Sequence, residues 1–257
     1  MKKNCILVIV LILCIGFVSC ERPVKEGEKS SKSAVVHNSK AQSIADDGLA
    51  QMISAANSDE NPGKAGVRNG KVTVSGNTFP KTITIEYDGT PDILGIVREG
   101  TITGVLTNRI WLQGSILTIN YDNYVVNGVQ FKGTHHITNQ ATTLSNLSIT
   151  FDVVISNVEI IEEGESGVWS GNHKWVWTLN ETTVTGSTAG ITQGGIPYET
   201  LITTPLVQYH DCPLVSKGIV EVTSGTYQAT INYGDGTCDD KAIFTFNGKD
   251  TTITFFY

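Results

Sequence analysis

Charge is scarce in this chain. Only 17% of its 257 residues are Asp, Glu, Lys or Arg. Of the 18 Lys and Arg, two are Lys2 and Lys3, the only charges before Cys20; from Cys20 on, 16 basic groups face 25 acidic ones, a balance of −9. A net acidic segment without a basic patch excludes a nucleic-acid partner and polybasic docking on anionic lipid. Cysteine is also sparse. Of the five, Cys5, Cys14 and Cys20 lie in or at the end of the N-terminal apolar segment, leaving Cys212 and Cys238 beyond it. No Cys-x-x-Cys pair exists to hold zinc. HExxH, GxSxG, P-loop and GxGxxG motifs are all missing. No long helix-period segment stands between residues 67 and 257, which excludes a helical bundle there.

What the chain has is Thr, Gly, Asn, Ser and short β-branched runs. Its hydrophobic content is 40%. Length and composition allow one large domain or two small ones with a real core.

The first segment reads MKKNCILVIVLILCIGFVSC. Two lysines precede an apolar run from Cys5 to Val18. That run is too short to span a bilayer comfortably and suits a signal-peptide core. Phe17-Val18-Ser19-Cys20 resembles a bacterial lipobox, which implies a signal peptide over 1–19, cleavage before Cys20 and lipidation of Cys20. Residues 20–66 then read as a flexible tether. ERPVKEGEKSSKS has no apolar period, and NSDENPGKAG is a linker by composition. Ile44, Leu49, Met52 and Ile53 make a thin stripe that predicts a short helix within 39–57, weakened by Gly48.

From Val67 the period becomes two. KVTVSG, KTITIEY, ILTINY, VQFKGTHHIT, LSITFDVVI, KWVWTL, IVEVTS, QATINY, KAIFTF and TTITFFY read as strands. Asp88-Gly89, Asn127-Gly128, Asp235-Gly236 and Asn247-Gly248 mark turns, since these pairs supply positive φ cheaply. The expected fold over 67–257 is all-β, built from antiparallel hairpins.

Two stretches echo each other. Gly70–Val74 matches Gly218–Val222, and Ile85-Glu86-Tyr87-Asp88-Gly89-Thr90 matches Ile231-Asn232-Tyr233-(Gly234)-Asp235-Gly236-Thr237. The echo predicts an internal repeat, 70–121 and 218–257, forming two similar sub-sheets. Cys238 aligns with Pro91, so the staple belongs to the second copy, and Cys212 is its domain partner. In an oxidising compartment a Cys212–Cys238 disulfide is expected. A catalytic Cys212 assisted by His210 is the rival reading.

Catalytic chemistry finds little footing. His135 and His136 are adjacent on a strand and so point to opposite faces. His173 sits in a polar Gly-Asn-His-Lys run expected at the surface. Asp235, Asp239 and Asp240 do not match a calcium loop and read as turn formers. Glu159, Glu162, Glu163 and Glu165 crowd a loop tip. A hydrolase would need two such carboxylates across a cleft. Trp169, Trp175 and Trp177 are the surface candidates for ligand binding. Trp175 and Trp177 share one face, which would either stack on sugar rings or line the core.

The lipobox with FPKTITIEYDGT, YDNYVVNGVQFKGTHHITN, TTPLVQYHDCPLVSKGIVEV and INYGDGTCDDKAIFTFNGK resembles a family of Bacteroidetes lipoproteins without an assigned activity. The resemblance covers most of residues 70–257. The chain departs from the family where Pro91 stands in place of a cysteine-containing first turn. The resemblance implies an outer-membrane location, facing periplasm or cell surface, β content and the late disulfide. It implies no mechanism.

The expectation is therefore a lipid-anchored envelope protein with a non-catalytic binding or structural β domain and no cofactor or metal. Its partners would be the membrane, through the N-terminal lipid, and a glycan or envelope protein. A carbohydrate-binding accessory protein using the three tryptophans, or a hydrolase with a carboxylate site, are the alternatives.

Overall fold

In the computed structural model, the described residues are 21–57, 67–212 and 214–254. The expected signal peptide and Cys20 lie outside them. Thirteen antiparallel strands form one sheet in which every strand pairs with its sequence neighbours. They are β1 (Lys71–Ser75), β2 (Lys81–Asp88), β3 (Arg98–Leu106), β4 (Ile116–Val126), β5 (Val129–Thr143), β6 (Ser148–Glu162) and β7 (Glu165–Trp177). Then follow β8 (Glu181–Ile191), β9 (Pro197–Tyr209), β10 (Lys217–Ser224), β11 (Tyr227–Asp235), β12 (Lys241–Phe246) and β13 (Lys249–Thr254). One face of these strands is apolar. Ile83, Ile85, Ile102, Ile119, Phe131, Phe151, Ile160 and Phe244 are buried at alternate positions, as the pleat requires.

Over residues 21–57 the expected tether is a helix; the linker residues 58–66 lie outside the described ones. Among the described residues a single helix, α1, runs from Glu21 to Asn57, 37 residues. It replaces both the flexible segment and the short helix within 39–57. Its buried stripe explains the difference. Gly27, Ser31, Ala34, Ala41, Ala45, Gly48, Met52 and Ala55 recur at helical spacing and are buried. Such small residues carry little hydropathy, so the segment reads as polar. They let the helix backbone approach the sheet closely, while Leu49, Met52 and Ile53 supply the apolar bulk. Full burial of each of those three contributes roughly 1.5–3 kcal/mol.

The sheet curls around this helix. α1 touches β2, β3 and β4 as well as β7, β8, β10 and β11. Register shifts supply the curvature. They fall between Glu99 and Thr101, Tyr121 and Tyr124, Ile155 and Val158, and Val184 and Ser187. Each bulge bends its strand and raises local twist. Gly100 and Gly186 occupy two of them at φ 86 and 131, where a side chain would strike the neighbouring backbone.

The repeat is visible in the register. Val72 pairs with Ile85 and Val74 with Ile83. Val220 pairs with Ile231 and Val222 with Ala229. The two units stand at the two ends of one continuous sheet, not in separate sub-sheets. β10 is nine strands after β1, an odd step, so in an alternating sheet the copies run in opposite directions. Asp88-Gly89 and Asp235-Gly236 therefore lie on opposite rims. Both aspartates accept a bond from the backbone N–H two residues on, at 3.0 and 3.2 Å. They are turn formers.

The two rims differ. One carries two-residue turns at Asn127-Gly128, Glu163-Gly164 and Asn247-Gly248, all with positive φ. It also carries the β2–β3 loop with exposed Ile93 and Leu94. The N-terminal half of α1 abuts this rim: Ser30 bonds Ser224 at 2.8 Å, and Lys40 bonds Glu162 at 2.6 Å. The other rim holds the β3–β4, β5–β6, β7–β8, β9–β10 and β11–β12 connections. There Cys212 and Cys238 are joined in a disulfide, with Cα atoms 5.7 Å apart.

Candidate functional site

The tryptophan face is the core. Trp169 is fully buried, and its Nε1 donates to Asn38 Oδ1 of α1 at 3.0 Å. Trp175 is buried, and half-buried Trp177 packs edge-on against Phe151 at 5.4 Å. The three share the inner side of β7 because odd-numbered residues there point at the helix. They offer no exposed stacking platform, so the sugar-binding reading loses its residues. The expectation for His173 also fails: it lies mid-strand on the same inner side and is buried. His135 and His136 do point apart. His135 is buried against Tyr121, and His136 meets Thr118 on the exposed face.

The most organised polar constellation couples helix to sheet, and sequence reading missed it. Arg98, at the start of β3, is 2% exposed. Its Nη1 donates to Asp92 Oδ2 at 2.8 Å, while Nε and Nη2 grip Asp47 of α1. Tyr124 donates its hydroxyl to Asp47 Oδ2 at 2.9 Å. Asp92 Oδ1 accepts from the N–H groups of Leu94 and Ile96 at 2.8 and 3.0 Å. Burial pushes the Asp92 carboxyl up, but Arg98 and those two N–H groups together hold it below its ordinary value. Burial opposes the Arg98 charge, and its two carboxylate partners more than restore it. Burial, with the Asp47 charge beside it, drives Tyr124 upward. Asp92 is thus held as an ion beside the guanidinium, which also grips Asp47. That chemistry locks two elements together; it does not poise a proton for transfer. The legible trace was a lone arginine opening a strand whose other buried positions are Ile102, Gly104 and Leu106.

Three imidazoles line the helix–sheet seam. Tyr198 Oη lies 2.8 Å from His37 Nδ1, and Tyr121 Oη lies 3.0 Å from His135 Nδ1. The remaining nitrogens, His37 Nε2 and His135 Nε2, and His173 Nδ1 have no partner among the described residues. Burial lowers His135 to about 3 and His173 and His37 to about 4, with the Lys40 charge adding to the effect at His37. They stay neutral at physiological pH. Asp46 goes the other way: burial pushes it up to about 8 against the opposing bond from Gln42. Among the described residues no three His, Cys, Asp or Glu gather as metal ligands.

A shallow cleft of about 330 Å³ opens beside α1, between Lys29, Lys32, Val36, His37, Lys40 and Glu162. Lys40 is paired with Glu162 and Lys32 with Glu28. This accounts for one member of the predicted glutamate cluster. Glu163 occupies the turn, Glu165 opens β7 opposite Glu162, and Glu159 faces Lys132 at 3.9 Å. No facing pair of free carboxylates results.

The rim with the disulfide carries a second kind of feature. Trp111 and Leu112 in the β3–β4 loop, Leu144 and Leu147 in the β5–β6 loop and Leu179 in the β7–β8 turn are all exposed. The described chain is thus an antiparallel β scaffold with an enclosed helix, a closed ionic lock and an apolar rim. No family model, curated protein or solved structure matches it.

Proposed function

We propose that the protein is a lipid-anchored outer-membrane protein whose β domain binds or braces an envelope component and catalyses no reaction. The observation that carries this reading is the position of α1. The helix begins at Glu21, next to Cys20 of the lipobox, and packs on the sheet from Gly27 onward. At about 1.5 Å per residue, Glu21 to Glu26 span about 9 Å. A lipid on Cys20 would then hold a rigid body close to a bilayer, not a domain on a long tether. Two or three acyl chains make such an anchor durable.

Labelling cells with a tagged fatty acid tests the anchor. The wild-type protein takes up label and fractionates with membranes; Cys20→Ala does neither. Label on Cys20→Ala would overturn the reading. Proteolysis of intact cells then separates surface from periplasmic exposure.

A further inference from the structure

We propose that the β3–β4, β5–β6 and β7–β8 loops form a seat for a second bilayer, one of zwitterionic phospholipid. This rests on the lipid-anchored reading: the N-terminal half of α1, which follows Cys20 in the sequence, abuts the opposite rim. In a meander of neighbouring strands, alternate connections share one end, so these three loops stand side by side. Leu144 is 78% exposed, Leu179 68%, Leu147 53% and Trp111 37%. Turn tips are ordinarily Gly, Asn, Asp or Ser. Three successive tips with large apolar groups are a surface shaped for an apolar medium.

Four observations favour lipid over a protein partner. First, the three loops, TNRIWLQGS, LSNL and TLN, hold a single charge, Arg109, set 5.6 Å over the Trp111 ring. An aromatic with a snorkelling cation beside it suits a membrane interface. Second, carbonyls of the β3–β4 and β7–β8 loops are satisfied inside the protein. Asn139 Nδ2 donates to Ile110 O at 2.8 Å, Thr142 Oγ1 to Trp111 O at 2.7 Å, and His210 bonds Leu179 O and Asn180 O at 3.1 and 2.9 Å. Hydrocarbon tolerates backbone only in that condition, and water does not require it. Third, Leu147 holds φ at 50, a left-handed conformation that Asn or Gly adopts at lower cost. An apolar side chain kept there against backbone preference points to use. Fourth, the far side of the same rim is net acidic, with Asp211, Asp235, Asp239 and Asp240 against Lys217 and Lys241. That charge repels anionic lipid, which selects a zwitterionic surface.

The experiment reconstitutes the full lipidated protein in donor vesicles and adds dye-labelled phosphatidylcholine vesicles as acceptors. Retention of protein in the donors reads the anchor; co-sedimentation of dye reads the seat. Expected are dye capture that persists at high salt, weakens when phosphatidylglycerol is included, and falls at least about tenfold in Leu144→Asp/Leu179→Asp. Trp111 fluorescence should be quenched by brominated acceptor lipid, with Trp111→Phe removing that signal. Leu147→Asn should raise the melting temperature and lower capture, a split that a purely structural loop would not give. Capture unchanged by the Asp substitutions, absence of Trp111 quenching, or association of protein copies without acceptor lipid would each overturn the proposal.

Discussion

Arg98 grips both carboxylate oxygens of Asp47, with Nε to Oδ2 at 2.8 Å and Nη2 to Oδ1 at 2.7 Å. This bidentate pair crosses from sheet to helix, with Arg98 buried and Asp47 half-buried. Arg98→Ala leaves Asp47 and Asp92 facing each other without their cation. Removing one partner of such a pair typically costs about 3–5 kcal/mol. Urea unfolding should show that loss. A change below about 1 kcal/mol would mean the lock contributes no stability.

Stability should peak near pH 6–7. His135, His173 and His37 have folded values of about 3, 4 and 4, below the ordinary 6.5. The unfolded chain therefore takes up protons below pH 6.5 that the fold refuses, and stability drains as pH falls toward about 4. Asp46 opposes this. Its folded value of about 8 lies above the ordinary 3.8, so its contribution is complete at low pH and is lost as pH rises through 8. Three imidazoles outweigh one carboxyl on the acid side, at about 1.4 kcal/mol per proton per pH unit. On the alkaline side Asp46 acts alone, and Asp46→Asn should flatten that limb. Urea midpoints across pH 4–9 check both slopes.

Gly48→Ala should destabilise, against the usual helix preference of about 1 kcal/mol for alanine. A Cβ at Gly48 would sit 2.6 Å from Tyr121 Cε1, and Tyr121 is itself fixed by His135. Overpacking of this kind costs about 1–3 kcal/mol. Gly27→Ala meets the Tyr227 ring, which is only half-buried and can swing aside. The two melting temperatures should move apart; a gain at Gly48 would show that helix and sheet are less closely seated.

Opening the Cys212–Cys238 bridge should lower stability by roughly 3 kcal/mol, given the 26-residue separation. Thiol titration of the unfolded, unreduced protein should find neither cysteine reactive.

The strands were legible because β-branched and aromatic residues alternate with polar ones over most of them. β8 and β9 were harder: Thr182, Gly186, Thr188 and Gly190 line β8 with small groups that leave no hydrophobic period. The same reason hid most of α1, whose stripe is Gly, Ser and Ala. Which side of β7 faces inward could not be read locally, since Trp169, His173 and Trp175 look alike as a ligand face or a core face until a helix is found to cover them. The Arg98–Asp47 pair is separated by 51 residues and carries no local signature.

The strand order has a consequence for how the chain is made. Each strand needs only its predecessor to pair, so hairpins can add one after another as the polypeptide emerges. The helix, synthesised before all of them, finds its partners at Ser224 and Tyr227 almost two hundred residues later. A helix that leaves the ribosome before any strand is therefore among the last elements to be enclosed, and until then the growing sheet presents an uncovered apolar face.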